Sequence, residues 1–261
     1  MARERIDLLL VQRGLAASRD RAKRLLLAGK VLVDDAVVDK AGTRVDVESA
    51  IRLRGQDHGY VGRGGLKLEG ALEDLQVDVT GLRCLDVGSS TGGFTDCLLQ
   101  KGAIGVVAVD VGTNQLHNRL RQDPRVRSME QTDIRSVRRD DLHGDVQIVV
   151  MDASFISLRL ILGPVRALVD DGTRVLALVK PQFEVGREQV GRGGLVKDDA
   201  LRTEAVDAIA GVAAELGFRE EGRADCRLAG ARSGNREVFL LLEADEGSGA
   251  TEVDKGSGVA E

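Results

Sequence analysis

The chain has 261 residues, 43% of them hydrophobic and 30% charged, with a formal net charge of -5. That is length enough for one large domain and a small one, and the composition excludes a low-complexity or fibrous chain. Three cysteines without metal-ligand spacing and three scattered histidines imply no disulfide framework and no metal site, which fits a reducing, cytoplasmic setting. The first residues lack a signal-peptide core and no apolar run approaches the ~18 residues that span a bilayer, so no membrane association is expected.

Charge is unevenly spread. From Met1 to Lys30 eight Lys and Arg face three acids, a basic start on an acidic chain that suits a module binding a polyanion. Ile6 to Gln12 reads as a short helix ended by Gly14. Ser18 is a good N-cap for a second helix, Arg19 to Ala28, stopped by Gly29. Val31–Val33 and Ala36–Val38 flank Asp34-Asp35 as a tight hairpin, with strand-like pieces at Val45–Val47 and Ile51–Leu53. Two small helices, a basic face and a compact β return resemble the S4 RNA-binding fold. Arg5, Arg13, Arg19, Arg21, Lys23, Arg24 and Lys30 are its expected phosphate contacts, with Arg63 beyond it. The expected boundaries are an S4-like domain over 1–58, a glycine-rich linker over 59–65, a catalytic domain over 66–243 and a disordered acidic tail over 244–261.

Leu66, Leu68, Ala71, Leu72 and Leu75 mark an amphipathic helix that carries Lys67. A short buried strand then ends near Val87 and runs into Gly88-Ser89-Ser90-Thr91-Gly92-Gly93-Phe94, a glycine turn that opens a helix. A strand, a glycine turn and a helix N-terminus form the first half of a nucleotide-binding α/β unit. The spacing departs from the G-x-G-x-x-G of dinucleotide sites. Asp86, just before the first glycine, would repel a pyrophosphate but suits the cationic sulfonium and amino group of S-adenosylmethionine. Ile104 to Val109 ends in Asp110, placed like the second-strand acid that accepts ribose hydroxyls.

Further strands are expected at Val126–Met129, Val146–Met151, Val175–Val179 and Val238–Leu242, with helical stretches between, including Leu201–Leu216. This alternation predicts a mostly parallel, Rossmann-like sheet covered on both faces, an α/β fold behind a small α+β module. Asp152 and Lys180 close two of these strands, on the rim where ligands of open α/β sheets bind. Only eight of the 37 Lys and Arg residues are lysine. Lysine can be tuned toward neutrality and act as a base where arginine cannot, which favours a titrating or point-donor role for Lys67 and Lys180. Phe94, Phe155, Phe183 and Phe239 lie beside these positions, either as plugs at strand ends or as surfaces for an adenine or an extruded base.

At these residues the chain resembles a known family. Tyr60 to Leu68, Asp86 to Thr95, Asp152 to Leu158, Lys180 to Arg187 and Gly234 to Glu237 look like the TlyA, or haemolysin A, family, from Arg3 to about Glu243 in the same order. The resemblance implies an S4 domain joined to an FtsJ-like methyltransferase domain. It further implies S-adenosylmethionine-dependent 2′-O-methylation of cytidine in ribosomal RNA and a Lys67-Asp152-Lys180-Glu237 catalytic tetrad. Cofactor contacts are expected from Asp86, Gly88, Ser89, Ser90, Thr91, Gly92, Gly93, Phe94, Asp110, Asp133 and Asp152. Gly62, Ala153 and Asp133 stand where serine, valine and asparagine are common. Three other readings are weighed: a non-enzymatic ribosome-assembly factor on the same scaffold, a methyltransferase of small molecules or proteins, and a membrane-active haemolysin. Nothing in the sequence demands more than a monomer.

Overall fold

The computed structural model describes residues 3–16, 18–34, 36–53, 59–228 and 234–245, so Asp35 of the expected hairpin and all but the first two residues of the expected acidic tail lie outside the described residues. Two compact units are present, Met1–Gly59 and Tyr60–Glu261. In the first, β1 (Arg3–Arg5) leads into α1 (Ile6–Gln12) and α2 (Arg19–Leu27), followed by β2 (Val31–Val33), β3 (Ala36–Val38), β4 (Arg44–Asp46) and β5 (Ile51–Leu53). β3, β2 and β5 form one antiparallel sheet, and β1 pairs with β4. The core follows from helical spacing: Ile6, Leu9 and Leu10 of α1 meet Ala22, Leu25 and Leu26 of α2 over Val31, Val33 and Val45. Ser18 caps α2 as expected, accepting the Arg21 amide at 3.2 Å.

Several of the basic residues have work within this unit. Asp7 is wholly buried in the first turn of α1. Arg5 donates to both of its oxygens, at 2.9 and 3.0 Å, and Arg19 adds a bond at 3.1 Å. The Arg5 bonds, helped by Arg19 and opposed by burial, hold the Asp7 carboxyl down at about 2. Arg13 donates to the carbonyls of Val47 and Ser49, and Lys23 pairs with Asp20 at 3.5 Å. Arg24 and Lys30 are exposed and make no ion pair among the described residues.

The second unit contains α3 (Gly64–Asp74), β6 (Arg83–Val87), α4 (Gly93–Gln100), β7 (Gly105–Val109), α5 (Asn118–Arg121), β8 (Val126–Met129), β9 (Ile148–Met151), α6 (Leu162–Leu168), β10 (Arg174–Val179), α7 (Pro181–Glu184), α8 (Asp199–Glu215), β11 (Phe218–Asp225) and β12 (Val238–Ala244). One seven-stranded sheet has the order β11-β12-β10-β9-β6-β7-β8. From β8 to β10 the strands are parallel, and β12 is antiparallel to both neighbours. Strand residues alternate between two cores. Leu85, Val149, Met151 and Val175 face α6 and α8, whereas Cys84, Ile148, Val150 and Leu176 face α3 and α4.

Two features differ from the sequence expectation. The glycine run over 59–65 is not a free linker beyond Gly59. The Val61 amide donates to the buried Asp96 at 2.8 Å, and Gly64 and Gly65 make the first turn of α3. The glycines let α3 and α4 touch backbone to backbone: a Cβ on Gly93 would sit 3.0 Å from the Gly65 nitrogen. β11 had no expected counterpart. Its Arg219-Glu220-Glu221 run is exposed on a sheet edge and carries no apolar alternation.

Asp7→Asn is expected to destabilise the first unit at neutral pH and flatten its acid limb. With a folded value near 2 against an ordinary 3.8, the contribution is complete above about 4 and is lost as the pH falls through 2. Melting curves from pH 2 to 7 check this, and identical melting of the two proteins at pH 7 would contradict it.

Candidate active site

A cleft of about 1030 Å³ opens beyond the carboxyl ends of the parallel strands. It sits where β7 and β9 flank β6 on opposite sides, so the loops after β6 and β9 part and leave a crevice. Gly88 has φ +83, and a Cβ there would lie 2.9 Å from the Asp152 carbonyl oxygen. Glycine is therefore required for the β6 turn to pass the β9 loop. The turn is tied to the next strand, as the Gly88 amide donates to the Val109 carbonyl at 2.9 Å and the Ser90 amide to Asp110 at 2.7 Å.

Two ion pairs face this cleft. Lys180, at the end of β10, reaches Asp152 at the end of β9, with Nζ 2.5 Å from Oδ1; the same Nζ donates to Ser154 Oγ at 2.7 Å. Lys67 of α3 meets Glu237 at 2.5 Å. Glu237 reaches the rim through topology: Val179 of β10 is opposite Val238 of the antiparallel β12, so the residue preceding β12 lies beside the residue following β10. Both lysines and Glu237 are nearly buried, with side-chain exposures of 8%, 11% and 3%. The two pairs sense each other. Burial pulls Lys67 down, but the charges of Asp152 and Glu237 outweigh it and the ammonium ends above its ordinary value. The structure thus brings all four expected tetrad residues together.

Of the expected cofactor residues, Gly88, Ser89, Ser90, Thr91, Gly93, Phe94, Asp110, Asp133 and Asp152 line the cleft, whereas Asp86 and Gly92 are buried and do not line it. Asp86 is fully buried. One oxygen accepts from Thr95 Oγ1 at 2.6 Å and the other has no partner among the described residues. Burial pushes its carboxyl up to about 7, with Asp152 and Asp110 adding to the rise. Asp86 and Asp110, neither ion-paired among the described residues, stand around one turn beside Asp152, whose cation is Lys180. Asp110 accepts the amides of Ser90 and Gly112, both at 2.7 Å. Asp133 is engaged by Arg135, whose side chain holds it below the usual carboxylate range.

The phenylalanines divide. Phe94 and Phe239 are buried and stacked at 6.1 Å as core. Phe155 is 81% exposed at the cleft, with φ +65, and its ring lies 5.4 Å from that of Phe183. A bulky side chain held in that backbone region costs about 1–3 kcal/mol and marks a site where the surroundings enforce the geometry. Val111, 71% exposed on the cleft wall, escaped the sequence reading, as did Gln115, Ile134 and Gln182. Val111 alone carried a signal: an apolar residue directly after the strand-end acid Asp110.

Among the described residues no helix is long and apolar enough to cross a membrane. An FtsJ-like methyltransferase family model matches residues 60–244, and an S4 domain model matches residues 4–51. The chain is 46% identical over 241 residues to the 16S/23S rRNA (cytidine-2′-O)-methyltransferase TlyA of Mycobacterium tuberculosis, covering 92% of this chain and 90% of that one. It is 36% identical over 236 residues to Hemolysin A of Brachyspira hyodysenteriae, covering 90% and 98%. A solved Streptococcus thermophilus structure, provisionally named a hemolysin, superposes with a TM-score of 0.74 at 42% identity, over 98% of this chain and 93% of that one.

Replacing Lys67 by Met leaves the Glu237 carboxylate buried and unanswered, and is expected to cost about 3–5 kcal/mol of stability. Adding Glu237→Gln to that variant is expected to recover most of the loss. Denaturant titration of both proteins checks this, and additive losses would contradict the pairing.

Proposed function

The chain belongs to the FtsJ-like methyltransferase family, and we propose that it methylates the ribose 2′-hydroxyl of a cytidine in ribosomal RNA with S-adenosylmethionine as donor. The observation that carries this reading is the meeting of the Lys180–Asp152 and Lys67–Glu237 pairs on the rim of a cleft whose other wall is the glycine turn. The choice of cytidine and ribosomal RNA is supported by the activity for which the 46% identical Mycobacterium tuberculosis protein is named.

The cleft suits that donor. Asp86, with an unpartnered buried oxygen, and the neighbouring Asp110 and Asp152 answer a cationic ligand, while Gly88 and Gly93 let the turn pack closely against the β9 loop and α3. Asp110, whose oxygens each keep a free lone pair, would accept ribose hydroxyls, and Val111 would offer an apolar face to adenine. When bound, S-adenosylmethionine supplies an electrophilic methyl group on a sulfonium.

This chain's residues handle the nucleophile. A ribose hydroxyl is a weak nucleophile and must release its proton. Lys180, fixed by Asp152 and Ser154, faces that oxygen as base or as stabiliser of the developing alkoxide. Lys67 is unsuited to being the base: its neighbours hold it above its ordinary value, so it stays an ammonium at neutral pH and serves as a donor. With Glu237 it would hold the ribose and the neighbouring phosphate. Phe155, exposed on the rim, offers a stacking surface to the extruded base. Arg24 and Lys30 of the S4 domain would meet RNA phosphates, together with Arg63, exposed just ahead of α3. All four tetrad residues come from one chain, so a monomer suffices, acting in the cytoplasm where its substrate is found.

Transfer of labelled methyl from S-adenosylmethionine to purified small and large ribosomal subunits tests the reading. Label should enter the RNA and fall by about 10²–10⁴-fold in Lys180→Ala. Full activity in Lys180→Arg would remove Lys180 as the base. No label on either subunit, with cofactor binding intact, would overturn the substrate.

A further inference from the structure

The loop after β9 forms an arch that carries Phe155, exposed at its crown, and both of its feet rest on the segment that follows β10. Upstream, Ser154 Oγ accepts from Lys180 Nζ at 2.7 Å. Downstream, Ser157 Oγ donates to Glu184 Oε2 at 2.5 Å, and the Leu158 amide donates to Glu184 Oε1 at 2.9 Å. Between the two feet, Phe155 has φ +65 and leans its ring on Phe183, one residue before Glu184. Glu184 is a partly buried carboxylate with both oxygens committed to this one loop.

From this geometry we propose that Glu184 is a positioning residue: it pins the downstream foot of the arch and thereby holds Phe155 in its strained conformation and Ser154 against Lys180. A backbone conformation that a phenylalanine rarely adopts persists only where its surroundings over-determine it, and here they do so at both ends. Cutting the Glu184 bonds frees the arch to relax. Phe155 then leaves the left-handed region, and Lys180 loses the hydroxyl that aims its ammonium. The lysine keeps its Asp152 partner, so the lysine pair survives while its aim is lost. Cofactor binding depends on the β6 turn, Asp110 and Asp152; none of them bonds Glu184, and Asp152 keeps its own amide bond to the Val87 carbonyl at 3.0 Å. The effect therefore falls on turnover and spares donor affinity. This assignment rests on Lys180 as the group that faces the reacting hydroxyl.

The chain contains no tryptophan, so Phe155→Trp places one fluorophore on the arch. In that background Glu184→Ala should raise the mobility of residue 155, read as lower anisotropy and at least twofold greater acrylamide quenching. Glu184→Gln should restore most of the order, because its amide oxygen still accepts from Leu158 and its NH₂ group can donate to Ser157 Oγ. In the full chain without the tryptophan, Glu184→Ala should lower kcat at least 10-fold and change the KM for S-adenosylmethionine less than threefold. Ser157→Ala, which keeps the Leu158 bond, should fall between it and the parent. An unchanged mobility at residue 155 would overturn the pin. Raised mobility with unchanged kcat would overturn its role in turnover. Loss of donor affinity in proportion to kcat, without rescue by Gln, would reduce Glu184 to general stability. Failure of the tetrad reading shows separately, as Lys180→Ala with full activity.

Discussion

Nearly buried charges have to be answered where they stand, and that requirement organises the whole catalytic unit. Glu237 and Lys67 come from just before β12 and from α3, Asp152 and Lys180 from just after β9 and β10. Any one of them left alone in a site this poorly exposed would cost several kcal/mol. The strands and the helix must therefore arrive together for either pair to form. What results is a cleft in which two lysine amino groups are held at fixed points by Asp152, Ser154 and Glu237. Preorganisation of this kind suits a reaction whose main demand is to align an oxygen and manage its proton.

The sheet supplies the rest. Its order reverses around β6, which opens the crevice, and β12 enters antiparallel between β10 and β11, which returns the chain to the same rim with Glu237. Close backbone approach does the remaining positioning: Gly88 passes the Asp152 carbonyl, and Gly93 meets the first turn of α3. The same contact that packs α3 on α4 therefore places Lys67 beside the cofactor turn. The Asp96 carboxylate, taking the Val61 amide and the Arg119 guanidinium, secures the entry to that helix.

Much of this was legible in the chain itself. Continuous apolar runs, a capping serine and glycine stops located α1, α2, β6, β7, β9 and β10 to within two residues, because strands buried on both faces read as apolar runs and helix ends carry their own signals. Asp152 and Lys180 could be placed on one rim from their positions after adjacent strands. Glu237 could not, since its place depends on the antiparallel return of β12; only family resemblance pointed to it. Charged β11 and the glycine run at 59–65 misled for opposite reasons, one lacking apolar periodicity and the other having glycines that serve packing instead of freedom. The engagement of Arg5 and Arg19, basic by composition yet bound to a buried Asp7, was likewise invisible in the sequence alone.

The central claim is that this cleft acts on a ribose oxygen of cytidine. The most direct measurement is to methylate ribosomal subunits with this protein, digest the RNA to nucleosides and identify by mass spectrometry which one carries the new methyl group. The account predicts 2′-O-methylcytidine, with the mass added to the sugar and the base unmodified. A methyl group on a nucleobase, or on the ribose of another nucleoside alone, would contradict it.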